Sequence, residues 1–295
     1  MEDLKIFNLD RRYANLFDKE DMIAGRKNGK WKKYSCSEYI QTSDSIGSGL
    51  LNLGITKGDK VCIISSNRAE WSLCDMGINK IGAINTPLYP NITRAEYKYI
   101  IKDSEAKLIF IENDEIYKKI EGLENEVKTL KFIFSFDKLS NVKNWEELIE
   151  LGLTTPQFEK MNAIQNSISD NDLFTLIYTS GTTGNPKGVM ITHSNIISQI
   201  SALKDTLDWG KNDRAISFLP LSHVFERMVE YFYMFKGVSI YYGSIENIGE
   251  DLKSIQPTLM PTVPRLLEKV YDKILMDEFK KEEIEIINLS KKYKI

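Results

Sequence analysis

Cysteine is scarce: three residues in 295, Cys36, Cys62 and Cys74, without metal-ligand spacing and with no histidine near them in sequence. That argues against a disulfide framework and reads as reduced thiols in a cytosolic protein. Long apolar runs are missing as well. No uncharged stretch approaches the roughly 18 residues a membrane-spanning helix needs, so none is expected to cross a bilayer. The opening Met1-Glu-Asp-Leu-Lys does not read as a signal peptide. There is no basic surplus either. Lys and Arg number 39 against 42 Asp and Glu, a net charge of −3, which gives no electrostatic case for nucleic acid. What is present is ordinary for a folded protein, with 42% hydrophobic and 27% charged residues, enough chain for one large domain or two smaller ones.

The chain alternates strand and helix signals. Ser35-Cys-Ser-Glu38 and Thr93-Arg-Ala-Glu96 are capping-box patterns that predict helices to about Leu53 and Ser104. Lys60 to Ser65 and Lys107 to Glu112 are apolar without alternation, as strands covered on both faces are. Further strands are predicted over 82–87, 130–136, 214–219 and 238–243. Further helices are predicted over 68–81, 115–127, 144–151, 194–207, 221–235, 248–255 and 264–276. Thr258 to Met260 is strand-like, and Lys280 to Ile295 reads as an exposed helix. Met1 to Lys33 is charged and irregular, and Thr154 to Asp172 reads as a polar linker. This alternation implies an α/β fold of mostly parallel sheets covered by helices.

The stretch with chemistry in it is Leu173 to His193. A β-favouring run, Leu173 to Tyr178, leads into Thr179, Ser180, Gly181, Thr182, Thr183 and Gly184; Asn185-Pro186 stiffens the exit, Lys187-Gly188 follows, and Val189 to Thr192 reads as a second strand. Glycines let a backbone approach an anion closely, and successive N–H groups form an anion-binding concavity. The hydroxyls of Ser180, Thr182 and Thr183 add donors and Lys187 adds a compact positive charge. This is not the ordinary P-loop. Counting from Gly181, the sixth position is Pro186, Gly188 stands where Ser or Thr belongs, and a strand rather than a helix follows.

Tyr178-Thr-Ser-Gly-Thr-Thr-Gly-Asn-Pro-Lys-Gly188 resembles the phosphate-loop signature of the acyl-adenylate-forming (AMP-binding) enzymes. Phe218-Leu-Pro-Leu-Ser-His-Val-Phe-Glu-Arg-Met-Val-Glu230, Gln256-Pro-Thr-Leu-Met-Pro-Thr-Val-Pro-Arg265 and Asn67-Arg-Ala-Glu-Trp71 are similar to segments of long-chain fatty acid–CoA ligases. The resemblance runs from about Lys30 to Ile274. It implies the large N-terminal region of such an enzyme, in two packed subdomains: residues 1–170 with an N-terminal segment and linker, and 171–295 with the phosphate loop. It also implies the reaction. A fatty acid carboxylate attacks the α-phosphate of ATP, and coenzyme A then takes the acyl group. Thr179 to Gly184, Lys187 and Gly188 would hold ATP, with Lys187 the catalytic cation, Thr179 a candidate Mg2+ contact and His223 facing the acyl group and adenylate.

Other parts of the family pattern have no match. Tyr242-Gly-Ser-Ile-Glu246 looks like the adenine-stacking motif, but Ile245 replaces its threonine and it follows His223 too soon, so it reads as a strand-to-helix connection. A ribose-binding Ser/Thr-Gly-Asp, the hinge and the C-terminal lid with its lysine are not found. The sequence therefore reads as the N-terminal half of an AMP-forming long-chain fatty acid–CoA ligase, with the missing half separately encoded as one explanation. The alternative is a non-catalytic nucleotide-binding fragment or pseudoenzyme. The expected location is cytoplasmic, with peripheral membrane association left open. No protein ligands for a metal are assigned. Several residues carry plainer readings: His193 caps or packs, Glu226 and Arg227 form a solvated or structural polar face, Trp71 and the cysteines are core, and the aromatic helix around Phe225, Tyr231, Phe232, Tyr233 and Phe235 is mostly core.

Overall fold

The structure is a computed structural model and describes residues 4–179, 184–268 and 271–272. Helix α1 (Leu9–Phe17) follows a 3-10 turn at Ile6–Asn8, and a hairpin of β1 (Ile23–Lys27) and β2 (Lys30–Tyr34) comes next. Then come α2 (Cys36–Asn52), β3 (Lys60–Ile64), α3 (Ala69–Lys80), β4 (Ile84–Leu88), α4 (Arg94–Asp103), β5 (Leu108–Ile111), α5 (Asp114–Ile120) and α6 (Leu123–Glu126). The order continues with β6 (Phe132–Ser135), β7 (Lys143–Asn144), α7 (Trp145–Thr154), α8 (Phe158–Asn166), β8 (Leu173–Thr179), β9 (Lys187–Thr192) and α9 (His193–Leu203). It closes with β10 (Arg214–Ser217), α10 (Val224–Lys236), β11 (Ser239–Tyr242) and α11 (Ile248–Ile255).

Two sheets result, ordered β7-β6-β5-β3-β4-β8-β9 and β10-β11-β1-β2. Every pairing is parallel except the hairpins β8–β9 and β1–β2. The α/β fold with helices on the sheets is the one expected. In β3 and β5 successive side chains enter different cores, which is why neither strand alternates in sequence. Val61, Ile63, Leu108 and Phe110 join the cluster that holds Ile46 and Leu50 of α2 and Trp71 of α3. Cys62, Ile64, Ile109 and Ile111 join Tyr97, Ile100 and Ile116 of α4 and α5. Each such side chain contributes about 1.5–3 kcal/mol when fully buried.

Both capping boxes are formed, at Ser35 with Glu38 and at Thr93 with Glu96. Helix α7 crosses α2 at near-backbone contact. A Cβ on Gly152 would lie 1.8 Å from the Ser45 carbonyl oxygen, and one on Gly49 would lie 2.4 Å from that of Leu148. A buried ion cluster ties the first three helices together: Lys80 Nζ lies 2.5 Å from Asp10 Oδ2 and 2.5 Å from Asp44 Oδ1.

The sequence reading needs three corrections here. The first 33 residues are not irregular: they supply α1 and the β1–β2 hairpin, whose β1 pairs with β11 (Ile23 opposite Ile240). The segment 154–172 contains α8 rather than a bare linker, and the helix expected over 115–127 is broken at Gly122 into α5 and α6. Thr258 and Leu259 extend the edge of β10 as a single bridge to Ala215. Residues 1–259 form one compact unit and 260–295 a second, and each sheet takes strands from both sides of residue 170. The second unit opens with a helical stretch at 264–268, and the helix expected over 280–295 lies outside the described residues.

Candidate functional site

The C-terminal ends of β3, β4, β10 and β11 surround a cleft of about 230 Å3. Ser65, Ser66 and Asn67 follow β3 into its wall, and Tyr89, Pro90 and Asn91 follow β4. Phe218, Pro220 and Ser222 come after β10, and Gly243 to Glu246 after β11. Open parallel sheets bind ligands in crevices beyond the carboxyl ends of their strands, because the loops there are free to vary. Tyr242-Gly-Ser-Ile-Glu246 is the β11-to-α11 connection, as read from sequence, and it forms one wall of this cleft.

One side chain fixes the wall after β10. Asn67 Nδ2 donates to the Leu219 carbonyl (2.7 Å) and to Ser217 Oγ (3.2 Å), and Asn67 Oδ1 accepts from the Leu221 N–H (3.0 Å). Ser217 Oγ donates to Glu226 Oε1 (2.6 Å). Sequence reasoning placed Asn67 in a recognisable segment but gave it no role, and it missed Tyr89, Asn91 and Ser244. The usable signal was their position just beyond apolar strands.

Beneath this wall, α10 buries a polar row. Glu226, Arg227 and Glu230 are each at most 3% exposed, so the face is structural and not solvated. Burial pushes the Glu226 carboxyl up to about 8, partly offset by the Ser217 hydroxyl. Burial likewise pushes Glu230 up to about 7, although Ser72 and the Tyr242 hydroxyl (2.5 Å) both donate to it. Arg227 pairs with Asp75 of α3 and donates from Nη1 to Thr175 Oγ1 of β8 (2.6 Å), whose hydroxyl donates to the Asn85 carbonyl of β4 (2.6 Å). The network therefore locks α10 to α3, β4 and β8, and a buried ion pair needs such extra hydrogen bonds to offset its desolvation.

That lock ends at the hairpin which carries the glycine- and hydroxyl-rich sequence. β8 and β9 pair antiparallel from Leu173 opposite Thr192 to Thr179 opposite Lys187, so Thr179 and Lys187 face each other across the loop's stem. Ser180, Gly181, Thr182 and Thr183 lie outside the described residues. Gly184 has φ +132°, a conformation that side chains disfavour. Gly188 lies against the Tyr178 ring, where a Cβ would come 3.1 Å from Cζ, and the Tyr178 hydroxyl donates to Asp103 Oδ2 (2.6 Å). Lys187 is exposed.

His223 is exposed and is the N-cap of α10, with Nδ1 accepting from the Phe225 N–H (3.2 Å); the preceding Ser222 lines the cleft. His193 is buried edge-on against Phe174, and its pKa is lowered to about 4 by desolvation, so it packs. Trp71 and the three cysteines are core, and Tyr231, Phe232 and Tyr233 are buried while Phe225 is exposed. Among the described residues no group of three or more His, Cys, Asp or Glu side chains is placed to hold a metal ion.

A family model described as AMP-binding enzyme matches residues 9–291. Long-chain-fatty-acid–CoA ligase 1 of Homo sapiens is 35% identical over 266 residues, taking in 83% of this chain and 37% of that protein. Long-chain-fatty-acid–CoA ligase FadD15 of Mycobacterium bovis is 33% identical over 248 residues, taking in 83% of this chain and 41% of that protein. The chain thus spans about two fifths of the length of these relatives. Among solved structures, the N-terminal domain of FACL13 from Mycobacterium tuberculosis superposes with a TM-score of 0.73 at 21% identity, over 90% of this chain and 64% of that one. With a matching family model over nearly its whole length, and relatives 33–35% identical over most of it, the chain belongs to the AMP-binding enzyme family.

Proposed function

We propose that this chain is the nucleotide- and acyl-binding part of an AMP-forming long-chain fatty acid–CoA ligase. The observation that carries the reading is the β8–β9 register, which sets Thr179 opposite Lys187 at the mouth of a glycine- and hydroxyl-rich loop. In the proposed reaction a fatty acid carboxylate attacks the α-phosphate of ATP, giving acyl-adenylate and pyrophosphate. The thiol of coenzyme A then attacks the acyl carbon and AMP leaves. The first step needs no general base, since the carboxylate is already ionised; it needs alignment and charge neutralisation. Thr179 to Gly184 and Gly188 would cradle the β- and γ-phosphates, with the Lys187 ammonium on the developing charge. His223, beside cleft residue Ser222, would border the acyl group and adenylate.

Mg2+ fits this donor set: bound with phosphates it uses few protein ligands, and the exposed Thr179 hydroxyl can be one, so a preformed carboxylate cage is not required. When bound it would neutralise charge on the phosphates. A separately encoded C-terminal half and a cytoplasmic location with peripheral membrane contact belong to the same proposal. No helix among the described residues is long and apolar enough to cross a membrane.

Equilibrium binding of ATP with Mg2+ tests the loop assignment. Lys187→Ala is expected to weaken binding about ten- to a hundredfold, the scale of one charge-assisted contact of about 1.5–3 kcal/mol. Undiminished binding would remove the assignment. Fatty-acid-dependent ATP–pyrophosphate exchange, measured with and without a chain that supplies the missing motifs, separates a ligase part from a non-catalytic fragment.

A further inference from the structure

We infer that a lysine-rimmed cavity at the far end of the seven-stranded sheet binds a single-chain amphiphilic anion, a carboxylate or phosphate head on an apolar chain. The inference stands apart from the catalytic reading. The cleft lies beyond the last residues of β3 and β4, whereas Lys107 and Lys131 immediately precede β5 and β6, at the opposite end of the same sheet.

Two cavities lie there, of about 420 and 380 Å3, and Lys131 and Phe132 line both. The first has an apolar wall of Leu53, Ile55 and Phe132 beneath Lys107, Lys128 and Lys131. The second continues along Phe134 and Val142 to Lys143. Backbone hydrogen bonds hold the rim: the Lys131 N–H donates to the Lys107 carbonyl (2.8 Å), and the Phe132 N–H donates to the same oxygen (3.2 Å).

Most of the charge on this rim is uncompensated. Lys107 pairs with Asp59 at 2.7 Å, but among the described residues Lys128, Lys131 and Lys143 have no carboxylate within 4.0 Å. Lysines on neighbouring segments do pair: Lys57 with Asp172, Lys60 with Glu105, and Lys98 with Glu126. The one carboxylate lining either cavity is Glu124, in the second. A further donor waits in the first: the Thr129 hydroxyl is buried and has no hydrogen-bond partner. Buried polar groups are normally satisfied, so one left over beside two unpaired cations, Lys128 and Lys131, marks a place for an acceptor-rich head. The apolar wall gives that head's chain somewhere to lie, which a bare inorganic anion would not use. Two chemical sources, a fatty carboxylate and an alkyl phosphate, share this pattern.

Calorimetric titration of the full chain with dodecanoate and with dodecyl phosphate, each followed by hydrogen exchange, tests it. The expected result is protection over residues 128–134 and 141–143, with affinity falling as salt is raised. The triple variant Lys128→Gln, Lys131→Gln, Lys143→Gln should lose that binding at least tenfold at an unchanged unfolding midpoint. Thr129→Val, which keeps every cation, should weaken it severalfold. Which probe binds more tightly separates carboxylate from phosphate heads. Protection confined to residues 65–67 and 218–223 would overturn the proposal. So would equal binding of dodecanol, which lacks the charge, or of inorganic phosphate, which lacks the chain.

Discussion

Replacing Asn67 with alanine removes three hydrogen bonds at once and strands the Leu219 carbonyl and the Leu221 N–H. A neutral hydrogen bond contributes about 1 kcal/mol net, and a donor or acceptor left dry costs about 1–3 kcal/mol. Asn67 lines the cleft, so water can reach part of the vacated space. A loss of about 2–3 kcal/mol is therefore expected, below the sum for fully dry groups. Part of it should be local, because the released segment is a wall loop and not a core strand. The assay is urea unfolding followed by circular dichroism, paired with hydrogen exchange resolved at residues 217–223. The unfolding midpoint should fall, and the Leu221 amide should exchange much faster than amides in β3. Asn67→Asp keeps the acceptor for Leu221 but sets a carboxylate near the Leu219 carbonyl, and should be no better than alanine at neutral pH. If Asn67→Ala leaves both the midpoint and the Leu221 exchange rate unchanged, the latch holds nothing and the reasoning fails.

Glu226 and Glu230 have folded-state pKa values raised to about 8 and about 7, so the fold binds protons that the unfolded chain releases. Their contribution is fully present below the ordinary carboxylate range and is lost as pH rises through those values. Between pH 5 and 9 the wild type should lose more than about 1 kcal/mol that Glu226→Gln does not, as pH-dependent denaturant curves would show. His193 has the opposite sign: its pKa is lowered to about 4, so its contribution is present above its unfolded value of 6.5 and lost as pH falls through 4. His193→Phe should flatten the acid limb of the same curves. Gly152→Ala drives a methyl into the Ser45 carbonyl, 1.8 Å away, and should cost at least about 3 kcal/mol in thermal or chemical unfolding.

Local signals carried most of the fold. The capping boxes at Ser35 and Thr93 were readable because both halves of each box lie within four residues. The doubly covered strands β3 and β5 were readable because a run without alternation has a single physical meaning in an α/β chain. What escaped was long-range. Lys-Trp-Lys-Lys-Tyr looks like loop, yet becomes β2 because β1 beside it finds β11. α8 buries only Met161, so its sequence carries little amphipathic pattern. The polar row of α10 looked half solvated because its partners are distant: Asp75 is 152 positions from Arg227, and Ser72 is 158 from Glu230. The β-favouring runs on either side of Thr179 to Gly188 pointed to the β8–β9 hairpin, whereas the cleft wall depends on Asn67 meeting Leu219, a pairing no spacing rule anticipates.

The β1–β11 pairing also has a temporal side. Gly25 pairs with Tyr242, so the inner strand of the N-terminal hairpin waits for a partner made 217 residues later. At ribosomal speeds of about 5–20 residues per second the wait is roughly ten to forty seconds. During it, Ile23 and Ala24, both fully buried in the finished protein, have only β2 on one side and no partner on the other. Nascent chains stalled shortly before residue 239 should therefore be the ones that chaperones hold longest.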